Sequence, residues 1–64
     1  MTHLEQALIF AEDGEGFAAQ AVSALLAWQE GDLAGALAIR KLLGEARDSI
    51  DCARAELDRA RRAQ

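Results

Sequence analysis

The residues able to do acid, base or nucleophilic chemistry in this 64-residue chain are few, and they are scattered. His3 beside Glu5 offers an acid–base pair, and Cys52 beside Asp51 offers a nucleophile. Neither falls in a catalytic motif, and no second histidine exists to serve Cys52 as its base. A lone cysteine cannot close an intrachain disulfide, and one histidine among dispersed carboxylates gives no cluster at zinc-ligand spacing. Asp13-Gly14-Glu15-Gly16 has oxygen ligands but lacks the twelve-residue calcium-loop pattern with its closing glutamate, so it reads as a break in a helix. The expectation is a non-enzymatic protein with no metal and no cofactor.

Arginine is the one charged type with a regular spacing. Arg40, Arg47, Arg54 and Arg61 recur every seventh residue, and Arg59 and Arg62 thicken the row near the end. Such a row could hold an anion or a nucleic acid. The plainer account is that Asp48, Asp51, Glu56 and Asp58 neutralise it at helical spacings such as Asp58 to Arg62, and that bases suit a helix C-terminus. A net charge of −4 argues against general nucleic-acid binding, which depends on neutralising phosphates. Residues 1–31 carry five acids and no Lys or Arg, whereas residues 32–64 carry six acids and seven bases, so the halves stand at −5 and +1. That asymmetry lets the halves attract each other, or lets each face a different surface of a partner.

Fifteen alanines and nine leucines, with no proline, no tyrosine, one valine and three isoleucines, favour helix and starve any strand. The fold class expected is all-α in a single domain. Thr2-His3-Leu4-Glu5 fits a capping box and starts a first helix over about 3–12. Leu4, Ala7, Leu8 and Ala11 share one of its faces, while Ile9 and Phe10 project away from it. Two glycines in three residues, Gly14 and Gly16, favour a kink or short loop there. A second helix over about 17–30 has Phe17, Ala21, Ala24, Leu25 and Trp28 on one stripe, widened by Val22 and Leu26. Phe17 and Trp28 suit either a binding surface or the core of a hairpin. Gly31 then closes the helix in the left-handed region and Asp32 caps the next one, so the chain reverses.

The third helix, over about 33–62, holds the most regular pattern in the chain. Ala36, Ile39, Leu43, Ala46, Ile50, Ala53, Leu57 and Ala60 recur at alternating spacings of three and four, an unbroken heptad seam. Its a positions are mostly large and its d positions are mostly alanine, which allows close antiparallel packing. The arginines all fall at e, where their stems can cover the seam. Cys52 falls at c, away from it. Gly44 sits in mid-helix at a cost of about 1 kcal/mol relative to alanine; either another backbone approaches it or it is tolerated on a solvent face.

Lengths constrain how these pieces meet. The third helix would span roughly 45 Å and the second only about 21 Å, so the first, at about 15 Å, must continue in the second's direction for the third to be covered. The expected architecture is an antiparallel helical hairpin with a broken first arm and coiled-coil-like packing.

So small a domain buries too little surface to be comfortably stable without a disulfide, a metal or a partner. Ile9, Phe10, Leu33 and Leu42 are apolar positions outside the seam, and they are the residues expected to meet a partner protein. That partner is either a different chain, which makes this an adaptor or co-chaperone, or a second copy in a homodimeric four-helix bundle. A hairpin dimer gripping nucleic acid through its arginine edge is a third reading, and it ranks last. No run of 18 apolar residues occurs and no secretory signal is seen at the N-terminus, so no membrane contact and a cytoplasmic location are expected.

Met1-Thr2-His3-Leu4-Glu5 followed by Leu8, the Gly31-Asp32 pair midway, and the overall length resemble the small E-type co-chaperones of type III secretion needle subunits. The resemblance implies a cytoplasmic helical hairpin that binds a tetratricopeptide-like chaperone, the pair holding the needle subunit so that it does not polymerise early. It further implies that the chaperone contact draws on apolar residues of the seam and of the first helix.

Overall fold

The computed structural model describes residues 1–63 and contains two helices, α1 (His3–Ala27) and α2 (Leu33–Arg62), packed side by side as a hairpin. Thr2 caps α1, its hydroxyl accepting from the Glu5 N–H at 3.1 Å, and Asp32 caps α2, its carboxylate accepting from the Gly35 N–H at 2.9 Å. Each cap satisfies a backbone donor that has no partner inside the helix. Arg59, Arg61 and Arg62 fill the last turn of α2, where the helix dipole favours positive charge.

The expected break in the first arm is absent. Residues 13–16 are helical, so what reads in the sequence as two helices over 3–12 and 17–30 is one helix of 25 residues. Each glycine in a helix interior costs about 1 kcal/mol relative to alanine, but that cost does not end a helix whose neighbours pack on a partner helix. Gly14 is itself buried in that packing. A methyl group built on it would lie 2.9 Å from Cγ1 of Ile50 and 3.3 Å from the Ala46 carbonyl oxygen, so the missing side chain is what lets the helices approach here. Gly16 and Gly44 have nothing within 4 Å of such a methyl and are simply tolerated at the surface.

The first arm also ends earlier than expected, at Ala27 rather than Glu30. Trp28 leaves the helix in an extended conformation, and its indole N–H donates to the Asp32 carbonyl oxygen at 2.8 Å across the turn. Gly31 follows at φ +93°, the one positive φ among the described residues, and completes the reversal. Gly35 adds a steric condition, since a methyl there would strike the capping carboxylate of Asp32 and come within 3.1 Å of the Trp28 ring. Trp28, Gly31, Asp32 and Gly35 thus fix the turn together.

Restoring Gly14 to the helix exposes a second regular seam. Ala7, Phe10, Gly14, Phe17, Ala21, Ala24 and Trp28 recur at spacings of three and four, and all are buried or half-buried. On α2 the matching centre is the d row: Ile39 and Ala46 are buried, and Ala53 and Ala60 are half-buried. The a row sits further out, with Leu43, Ile50 and Leu57 each nearly half exposed. Large Phe10 and Phe17 flank small Gly14, and the d row is mostly alanine, so the helices lie close but enclose little. Ala21, Ile39 and Ala46 are the only buried apolar side chains among the described residues.

The result is a rod of 51 × 13 × 13 Å with a radius of gyration of 14.8 Å. A compact chain of 64 residues would have a radius of gyration of about 11 Å.

Candidate interaction face

Because the seam sits at d on α2 and at Ala7, Gly14 and Ala21 on α1, each helix turns a different pair of rows to either flank. One flank carries two shallow apolar depressions, one toward each end of the rod. Near the termini it is lined by Leu4, Leu8, Ala11, Ile50, Ala53 and Leu57, with Glu5 and Arg54 at its rim. Near the turn it is lined by Leu25, Trp28, Ala36, Ile39 and Leu43, with Arg40 at its rim. Leu43, Ile50 and Leu57 are seven residues apart, and Leu4, Ala11 and Leu25 differ by multiples of seven, so both stretches open on the same side. The larger encloses about 570 Å³.

Charges frame this flank unevenly. Arg40, Arg47, Arg54 and Arg61 stand one row beyond Leu43, Ile50 and Leu57, and their own carboxylate contacts are loose. Arg47 and Arg54 approach Asp51 only to 4.0 and 3.9 Å, and Arg61 approaches Asp58 to 3.6 Å, one residue short of the Asp58–Arg62 spacing expected. Pairs this exposed contribute little to stability. Arg47 keeps 83% of its side chain in solvent. On α1, Glu15 stands in the row of Leu8 and Val22, Glu5 and Glu12 stand one row beyond, and no base accompanies them.

The opposite flank is polar and tied down. Gln6, Leu42, Ser49 and Glu56 are half-buried along it. At the open end of the hairpin the His3 Nδ1–H donates to Glu56 Oε2 at 2.6 Å, linking residues 53 apart in sequence. Glu56 also pairs with Arg59 on its own helix. The His3 hydrogen bond is the main cause holding the Glu56 carboxyl below the usual carboxylate range; partial burial opposes it and the Arg59 charge adds to it.

Comparison with known proteins finds no matching family model, no similar curated protein and no similar solved structure.

The four residues expected to meet a partner lie in four different places. Leu33 is 76% exposed beside the turn, in the row of the arginines. Ile9 is 41% exposed on α1, away from the groove. Phe10 belongs to the α1 seam and Leu42 to the polar flank, both half-buried. Leu4, Leu8, Val22, Leu25 and Leu37 were not among those residues, yet each is exposed by half or more. The signal for most of them is in the sequence: Leu4, Leu8, Ala11, Glu15, Ala18, Val22 and Leu25 follow spacings of four and three, a row parallel to the seam and one step round the helix. Assuming a break at Gly14 cuts both rows in half and hides the relation.

No group of three or more His, Cys, Asp or Glu side chains that could hold a metal ion occurs among the described residues, and Cys52 is exposed with a free thiol. No helix among them is long and apolar enough to cross a membrane.

Proposed function

We propose that this chain is a small non-enzymatic protein-interaction module, an adaptor or co-chaperone whose apolar flank docks on another protein chain. The observation that carries the reading is area. A compact protein of 6.9 kDa exposes roughly 4,000 Å², whereas this chain exposes 5,010 Å². The excess is about what one partner contributes to a standard protein–protein interface, ~800 Å². It is accompanied by a row of leucines and isoleucines that two helices alone leave uncovered. The resemblance to co-chaperones of secretion needle subunits supplies a setting for such a module, type III secretion in the bacterial cytoplasm.

The test is Leu8→Glu combined with Ile50→Glu, both in the groove and both already partly in water. Helical circular dichroism should persist, and any protein that co-purifies with the wild-type chain from its own cell should be lost. Undiminished co-purification would overturn the choice of this flank.

A further inference from the structure

Resting on the reading of the apolar flank as a docking surface, we infer that in the isolated chain its occupant is a second copy, packed with both turns at the same end. Two observations argue for a copy rather than an unrelated surface. One side of the rod is 51 Å long and 13 Å wide, a projected area of about 650 Å², and the chain's excess exposure is of the order that one partner of a stable dimer covers. The face is also self-complementary in charge, because acidic α1 and the arginine row of α2 lie along its two edges.

Symmetry then decides the arrangement. A closed dimer needs a two-fold axis lying in the interface. An axis across the rod stacks α1 on α1 and α2 on α2, which sets glutamates against glutamates and arginines against arginines. An axis along the rod lays α1 over the partner's α2 and preserves height. Leu4 and Leu8 then meet Ile50 and Leu57 of the second copy, and Leu25 comes level with its Ala36. Height also fixes one charge pair. Gly14 lies between Ala46 and Ile50, about level with residue 48, and because the helices are antiparallel the next residue along α1, Glu15, stands level with Arg47, one residue back along α2. The along-axis dimer brings Glu15 of each copy to Arg47 of the other, twice by symmetry. Apolar burial supplies the affinity and these rim charges choose the orientation. In the single hairpin Arg47 reaches only Asp51 at 4.0 Å, which leaves it free to take a better partner.

Charge exchange tests the pairing without touching the seam, with circular dichroism confirming helicity of every variant. In sedimentation equilibrium at low salt the wild type should be a dimer. Glu15→Arg and Arg47→Glu should each weaken it, by about tenfold in Kd or more, because each replaces two attractions by two repulsions. An equimolar mixture of the two variants should form a heterodimer tighter than either alone, and the double variant should return toward wild-type affinity. Single variants that leave the wild-type Kd unchanged, or a mixture that does not pair, would overturn the arrangement. A monomeric wild type would overturn the second copy as occupant, while the co-purification test of the flank itself would still stand.

Discussion

On one flank of the seam Leu4, Leu8, Leu25, Leu43, Ile50 and Leu57 stand between 46% and 63% exposed, whereas on the other Gln6, Leu42, Ser49 and Glu56 are half-buried and His3 closes the end. Both flanks border the same two helices, and backbone geometry treats them alike. The difference lies in which residues the heptad rows deliver. The polar flank is closed at its end by the His3–Glu56 hydrogen bond, while the apolar flank leaves its leucines about half exposed. A two-helix fold with three buried apolar side chains among the described residues leaves much apolar surface uncovered, and a continuous row of it lies along this one side.

The largest expected effect comes from the seam that divides the flanks. Gly14→Leu forces a side chain into the space between Ala46 and Ile50 and should destabilise the hairpin by about 2–3 kcal/mol, read from urea unfolding. Forcing the helices apart there would blur the contrast between the flanks. Two residues on, the same residue type predicts the opposite sign. Gly16→Ala meets open space on the outer surface of α1 and should stabilise by up to about 1 kcal/mol. At this chain length that is a rise in Tm of about 4–8 °C per kcal/mol, measurable by calorimetry. Should both substitutions move stability in the same direction, Gly14 would not be the point of close approach.

The smallest effect belongs to the polar flank. Glu56 has its pKa lowered in the folded chain, so the stability it contributes is complete above the ordinary carboxylate value of about 4.3 and is lost as pH falls through the lower, folded value. Glu56→Gln should therefore lower the unfolding midpoint slightly near pH 7, with the difference from wild type fading in acid. A difference that persisted undiminished after the Glu56 carboxylate was fully protonated would contradict the His3–Glu56 clasp.

Much of this arrangement can be read from residue spacing. The limits of α2, its Asp32 cap, the Thr2 cap and the reversal at Gly31 follow from local rules, because each depends on residues within a few positions of one another. The continuity of α1 does not. Whether a glycine breaks a helix or admits a neighbouring one depends on what lies opposite it, and Ala46 and Ile50 are more than thirty residues from Gly14. The flank was hidden for the same reason. Leu4 and Leu8 look like inward residues until the row through Phe10, Gly14 and Phe17 is seen to face α2. Leu43, Ile50 and Leu57 fit the seam by period alone, and only the packing direction shows that they tilt toward its open side.

The central claim is that the apolar flank is covered by another chain and that a second copy covers it when the protein is alone. Thermal unfolding of the wild-type chain across about a hundredfold range of concentration tests this most directly, since a dimer's Tm depends on concentration by mass action. The account predicts a Tm that climbs steadily with concentration, alongside a sedimenting mass of two chains. A monomer whose sharp transition stays at one temperature across the whole range would contradict it.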